Sequence, residues 1–201
     1  MSLNIKVYFD FVCPFCFLGE GSLSEAIKGK DVNIQWMPFE LRPEPSPRID
    51  PWNDPSKLNA WNNFIDPIAN KLGIDMKLPK LSPHPYTNLA FEGYHYASDH
   101  GKGDEYIKRV FKGFFQEELD IGKIEILANL SEEIGLNKEE FIKVLKNRKY
   151  KDKQEKALKH AYEEANITAV PTMIIGDEVV QGNTSKESLE KIINKQLIKN
   201  N

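Results

Sequence analysis

The chain has 201 residues, of which 40% are hydrophobic and 28% are charged, and its formal net charge is −3. These values are typical of a soluble globular protein and exclude extensive disorder. A weakly acidic chain without a basic stripe is not expected to bind nucleic acid. No apolar run approaches the ~18 residues of a membrane-spanning helix, so we expect no membrane partner.

The chain begins with a βαβ pattern. Residues 3–9 are rich in β-branched and aromatic side chains, which predicts a strand. Pro14 is favoured at the first position of a helix, and this helix is predicted to end at Gly29. Residues 31–36 form a second predicted strand. The two cysteines of the chain, in the motif CPFC, therefore lie at the first turn.

A proline-rich segment follows over residues 37–56, and the density of prolines there excludes regular structure. From its end to about residue 165, apolar side chains recur at helical spacing. Asn137 and Glu140 resemble a capping box within this block, and its last helix is predicted over residues 150–165. We interpret the block as a helical insertion.

Strand character returns near the C-terminus. The runs TMIIG and EVVQG meet at Gly176 and Asp177, which predicts a hairpin. Thr184 and Glu187 then predict a capping box for a terminal helix.

This order of elements predicts the α/β class, with a thioredoxin fold (βαβ … αββα) interrupted by an inserted α-helical subdomain. We expect the thioredoxin-like domain to comprise residues 1–50 and 149–201, and the helical subdomain residues 51–148. The segment MSLNIKVYFD lacks the apolar core of a secretory signal, so we expect a cytoplasmic location. Structural disulfides are rare in that compartment, where a CxxC pair is more often catalytic or metal-binding.

The position of the two cysteines favours thiol chemistry. Cys13 lies at the predicted N-cap, where unpaired amides and the helix dipole stabilise a thiolate. Cys16 lies one turn later on the same face, within reach of a disulfide with Cys13. Thiol–disulfide exchange needs an accessible attacking thiol and a shielded second thiol. The pattern predicts that Cys13 is the exposed attacker and Cys16 the buried partner.

Two other interpretations of the cysteines remain open. They could be small buried apolar residues, since free cysteine is often buried. They could also be half of a zinc site, but the sequence has no second CxxC and its four histidines form no finger pattern. We expect no metal ion and no organic cofactor.

A second signal is the segment ITAVPTMIIG. Pro171 directly precedes a predicted strand, and the fold context favours a cis Val170–Pro171 bond, although composition alone favours trans. The backbone of Val170 would then be free to pair with an extended substrate beside Cys13 by strand addition.

With these motifs in place, the chain resembles the DsbA-like thioredoxin family, and within it the FrnE-type dithiol–disulfide isomerase branch. The resemblance implies that Cys13 is the nucleophile, Cys16 the resolving thiol and Pro171 the cis-proline. The matching stretches are FDFVCPFCFLG, FELRPEPSP, SPHPYTNLAFEGYHYASDHGKGDEYIKRVFKGFFQEELDIG and ITAVPTMIIGDEVVQGNTSKESL.

The family resemblance also concerns substrates. It implies that Val170 contacts substrate, and we assign Pro14 and Phe15 to the same surface. The expected partners are protein or small-molecule thiols and disulfides, with glutathione as an optional co-substrate. Some relatives have a second cysteine pair; this chain has none, so an isomerase role that depends on one is not available.

The sequence is also compatible with two functions other than thiol–disulfide exchange. The same clan contains kappa-class glutathione transferases and hydroxychromene-carboxylate isomerases, which typically carry serine where Cys13 stands. In that case His84 could act as a base or substrate contact, although its flanking prolines favour a turn residue. The other alternative hypothesis is a non-catalytic adaptor whose cysteines act as a redox switch. The sequence assigns neither the direction of exchange nor the oligomeric state.

Overall fold

The computed structural model describes residues 2–199. They divide into two compact units. One unit is formed by the residues up to Leu41 together with those from Ala157 onward, and the other by Arg42–Lys156. The chain thus leaves the first unit after Leu41 and re-enters it at Ala157, whereas the sequence pattern predicts these boundaries after residues 50 and 148.

The first unit is built on a four-stranded sheet with the order β2-β1-β3-β4. Strand β1 runs parallel to β2 and antiparallel to β3, and β3 and β4 form an antiparallel hairpin. This arrangement confirms the predicted thioredoxin fold. The strands are β1 (Leu3–Phe9), β2 (Val32–Pro38), β3 (Thr172–Ile175) and β4 (Glu178–Gln181).

Three helical segments accompany this sheet. α1 (Pro14–Ala26) packs against the terminal helix α9 (Lys186–Lys199). α8 (Lys151–Lys159) enters the first unit and continues directly into one π-helical turn, His160–Glu164. Such π turns often occur at functional sites. The His160 Nε2 atom of this turn lies 3.2 Å from the Tyr8 hydroxyl on β1.

Two details of the first unit differ from the sequence-based expectation. β2 continues through Pro38, which pairs with Phe9; a proline is tolerated there because β2 is an edge strand. The N-cap of α9 is Ser185 and not Thr184, since the Ser185 Oγ accepts the Ser188 N–H at 3.3 Å. Adjacent hydroxyl residues offer similar caps, and the sequence pattern alone does not separate them.

The second unit is helical, as predicted. Asn137 caps one of its helices by accepting the Glu140 N–H at 2.9 Å, which confirms that capping assignment. Across residues 2–199, no helix combines the length and apolarity required to cross a membrane. The elements are α2 (Pro55–Ala60), a π-helical turn (Trp61–Ile65), α3 (Asp66–Leu72), α4 (Asn88–Asp99), α5 (Gly103–Phe115), α6 (Ile124–Glu133) and α7 (Lys138–Lys146).

His84 is a buried polar residue in this helical unit. Only 3% of its surface is exposed, and its ring stands edge-on to Phe114 with centroids 5.1 Å apart. Neither ring nitrogen has a hydrogen-bond partner. Burial lowers the pKa of His84 to about 4, against a smaller opposing effect of Asp50. The ring is therefore neutral in the folded protein at neutral pH.

Replacing His84 should make the protein less sensitive to acid. The unfolded chain takes up a proton at His84 below its ordinary pKa of about 6.5, whereas the folded chain does so only near 4, so stability falls as the pH drops through that window. We expect this one group to cost about 2 kcal/mol of unfolding free energy at about pH 5, a loss that His84→Phe removes. Urea denaturation at several pH values measures the difference. His100→Gln, at an exposed histidine, is the control, and an equally steep pH dependence in His84→Phe would contradict the prediction.

Candidate active site

The cysteine pair lies at the start of α1, where the sequence places it. Cys13 is the N-cap, with extended backbone angles (φ −87°, ψ 114°), and Pro14 occupies the first helical turn. Proline is favoured there because its missing N–H is one that the helix cannot use. The Cys16 N–H donates to the Cys13 carbonyl at 3.1 Å. The first turn of α1 thus brings both side chains to the same end of the helix.

Both cysteines are free thiols, and they contact one another. Burial, together with the hydrogen bond and the charge of Cys13, raises the pKa of Cys16 well above its ordinary value. Cys13 has a second contact, because its Sγ lies 3.5 Å from the Val170 carbonyl oxygen and donates to it. The pair is therefore a reduced dithiol with one sulfur facing a backbone acceptor.

The expectation of an exposed Cys13 is wrong. Cys13 and Cys16 each expose only 3% of their surface. The physical reason is that the helix N-terminus packs against the segment around Val170, so that the sulfur faces a carbonyl oxygen instead of solvent. Around the pair, Pro14, Phe15 and Val170 are only half-buried. These three residues, which the sequence analysis assigns to substrate binding, are thus partly accessible to solvent.

The Val170–Pro171 peptide bond is cis, as the fold context predicted. The Pro171 carbonyl accepts the Gly182 N–H at 2.8 Å, while the Val170 carbonyl points to Cys13. The described chain has two more cis bonds, Glu44–Pro45 and Ser82–Pro83, which the sequence analysis did not predict.

Asp10 is a residue of the site that sequence reasoning missed. It exposes 1% of its surface, three positions before Cys13. Its carboxylate accepts the Leu41 N–H at 2.7 Å and, at 3.4 Å, the Val12 N–H. The available signal was an acidic residue inside the apolar run VYFDFV, since a buried carboxylate requires partners. His84, by contrast, lies in the helical unit and stays a prediction as a substrate contact.

A family model described as a DSBA-like thioredoxin domain matches residues 4–194. The chain belongs to this family. It is 58% identical over 193 residues to the uncharacterized protein YwbO of Bacillus subtilis strain 168, which covers 96% of each chain. A 2-hydroxychromene-2-carboxylate isomerase of Pseudomonas putida is 23% identical, with 92% of each chain covered.

Solved structures with the same fold include enzymes of more than one kind. A probable DsbA oxidoreductase of Streptomyces coelicolor superposes with a TM-score of 0.83 at 18% identity, covering 98% of this chain and 90% of its own. The cytosolic disulfide reductase DsbM of Pseudomonas aeruginosa, solved with GSH, has a TM-score of 0.67 at 14% identity over 98% of both chains. At such identities the likeness establishes the fold alone. Among residues 2–199, no three His, Cys, Asp or Glu side chains are placed to share a metal ion.

The raised pKa of Cys16 predicts how it reacts when it is the only thiol. In Cys13→Ser, we expect iodoacetamide to alkylate Cys16 more slowly at neutral pH than it does in the urea-unfolded variant, because burial disfavours the thiolate. The alkylation rate of the folded variant should still increase with pH above about pH 9. Mass spectrometry of quenched samples gives the rate at each pH. The unfolded variant is the matched control, and equal rates for folded and unfolded chains would refute the prediction.

Proposed function

We propose that the protein is a thiol–disulfide oxidoreductase in which Cys13 attacks the substrate and Cys16 resolves the mixed disulfide. The observation that carries the proposal is the contact between two free thiols at a helix N-terminus, with the Val170 carbonyl 3.5 Å from the Cys13 sulfur. Membership of the DSBA-like thioredoxin family supports it.

The reaction has two exchange steps. The Cys13 thiolate attacks one sulfur of a substrate disulfide; a new S–S bond forms, and the other substrate sulfur leaves as a thiolate that is protonated by water. Cys16 then gives its proton to water and attacks the Cys13 sulfur. The Cys13–Cys16 disulfide forms as the bond between Cys13 and the substrate breaks, and the remaining substrate sulfur leaves as a thiolate that takes up a proton from water. In reverse, the oxidised pair converts a substrate dithiol to a disulfide. The direction of exchange depends on the reduction potentials of the Cys13–Cys16 pair and of the substrate.

The burial of the pair bears on substrate choice. Cys13 exposes only 3% of its surface. A substrate sulfur can therefore reach the Cys13 sulfur only by displacing the Val170 carbonyl oxygen from it. We assign the half-buried Pro14, Phe15 and Val170 to substrate binding, with Pro171 next to them. A peptide that pairs with the Val170 backbone would place its disulfide beside Cys13.

The chain's cysteine content limits how the pair is regenerated. Cys13 and Cys16 are its only cysteines, so the electrons of each cycle must come from an external thiol or pass to an external disulfide. Protein dithiols and small thiols are the partners that we propose, without a metal or organic cofactor. We also propose a cytoplasmic location, which the cytosolic location of the fold relative DsbM supports.

Removing the resolving thiol should trap substrates on the enzyme. In Cys16→Ala, we expect disulfide-linked adducts at Cys13 that reductant releases, because the second exchange cannot occur. Non-reducing gels followed by mass spectrometry detect them. Cys13→Ala is the control and should form none. Adducts that form equally well in both variants, or a wild-type protein that never cycles between dithiol and disulfide, would rule the proposal out.

A glutathione-using transferase or isomerase is the second candidate. The likeness to the 2-hydroxychromene-2-carboxylate isomerase of P. putida, which extends over 92% of each chain, favours it. In such an enzyme the sulfur nucleophile belongs to glutathione, and Cys13 would hold or orient the cofactor thiol. Cys16 would then have no chemical task.

Titration with reduced glutathione separates the two candidates. If the oxidoreductase proposal holds, oxidised wild-type protein is reduced by glutathione through a mixed disulfide, and Cys13→Ser abolishes that reaction. If the second candidate holds, calorimetry shows saturable binding that Cys13→Ser and Cys16→Ser retain, with no reductase activity. A mass increase of one glutathione at Cys13, which attack by Cys16 then removes, identifies the oxidoreductase.

A further inference from the structure

The helical unit contains a cavity whose lining includes neither cysteine. Its volume is about 260 Å³, which is below the ~300 Å³ at which pockets for drug-sized ligands begin, so it admits only a small molecule. Its lining carries both signs of charge, on the side chains of Arg48, Arg148, Glu44 and Asp120. The partners of these four groups indicate what the cavity can bind.

Two of the four charges are already compensated. Arg148 donates to the Glu92 Oε1 atom, from Nε at 2.9 Å and from Nη2 at 2.6 Å. The Asp120 carboxylate lies 3.5 Å from the Lys123 ammonium and accepts the Gly122 N–H at 3.1 Å. A ligand gains little from the charge of either residue, because each already has an opposite charge beside it.

Arg48 and Glu44 differ from the other two charged residues. Within residues 2–199, neither side chain forms an ion pair, although both line the same cavity. Arg48 lies over the Tyr86 ring, with its guanidinium carbon 5.6 Å from the ring centroid. The Glu44 Oε2 atom accepts a hydrogen bond from the Asn88 Nδ2 atom at 3.2 Å. Each charge thus has a neutral neighbour, and the two charges stay apart.

The two neutral neighbours are themselves fixed. The Tyr86 hydroxyl donates to the Ser46 carbonyl at 2.8 Å, which holds the ring in place. Asn88 is the first residue of α4, and its Oδ1 atom accepts the Leu89 N–H at 2.8 Å. Both ends of the Asn88 amide therefore have partners, which fixes its orientation. The start of a helix carries positive potential, so it adds to the charge of the nearby arginine.

We propose that this cavity binds a free α-amino acid, whose carboxylate pairs with Arg48 at the start of α4 and whose ammonium group pairs with Glu44. Such a ligand carries both charges and so joins the two residues that the protein leaves apart. A ligand with a single charge would leave one of them without a counter-charge. Pro85 and Leu89 add apolar atoms to the lining, which favours an aliphatic side chain. The inference is independent of the proposed oxidoreductase function.

An NMR titration of the ¹⁵N-labelled protein with matched probes tests the inference. L-leucine carries both charges, isocaproate is leucine without its amino group, and isoamylamine is leucine without its carboxylate. We expect L-leucine to shift the amide resonances of Leu89 and Gly122 saturably. Each single-charge probe should bind at least about tenfold more weakly, because it loses the charge-assisted hydrogen bonds of the missing group.

Two outcomes of this titration overturn the inference. The first is the absence of a saturable shift with L-leucine up to tens of millimolar. The second is a single-charge probe that binds as tightly as L-leucine, because the cavity would then not recognise the two charges together.

Substitution of the two charged residues locates the bound amino acid. In Arg48→Met and in Glu44→Gln, we expect the affinity for L-leucine to fall at least about tenfold, since each variant lacks one counter-charge. Both side chains are exposed, so the variants should fold. Arg42→Met is the matched control: Arg42 is an exposed arginine of the same unit outside the cavity lining, and this variant should keep the wild-type affinity. An affinity that is unchanged in Arg48→Met or in Glu44→Gln overturns the inference.

Discussion

The antiparallel pairing of β1 with β3 is the contact on which the site depends. Tyr8 lies opposite Thr172 in this register, so the cysteine turn that follows β1 meets the Val170–Pro171 segment that precedes β3. A slip of one residue would turn every side chain of β3 to the other face of the sheet. The 3.5 Å contact between Cys13 and the Val170 carbonyl is therefore a product of sheet register as much as of the CPFC motif.

The two sulfurs of the site differ in their neighbours and not in their exposure. Cys13 has the Val170 carbonyl oxygen as its neighbour, whereas Cys16 contacts Cys13 and the backbone of Asp10. Equal exposure, 3% for each, means that accessibility does not distinguish attacker from resolver. The distinction lies instead in hydrogen bonding. Asp10 takes part in it, since its carbonyl accepts the Cys13 N–H and its backbone also hydrogen-bonds to Cys16.

Local patterns in the sequence predicted most of the fold. β1, the start of α1 at Pro14 and the hairpin at Gly176 follow from propensity and from turn chemistry, which act over a few residues. The exposure of Cys13 could not be predicted in this way, because the Val170 carbonyl that faces it belongs to a segment 157 positions away. The role of Asp10 was missed for a similar reason: Leu41, its main partner, lies outside any local pattern.

The division of the first unit into two chain segments also has a consequence for synthesis on the ribosome. Until β3 emerges, β1 has only β2 beside it, and its other edge, which includes Ile5 and Val7, lacks its final neighbour. An apolar strand edge without a neighbour invites pairing with other chains. The nascent protein must therefore carry this vulnerable edge while the whole helical unit is translated, which gives molecular chaperones a long interval in which to engage it.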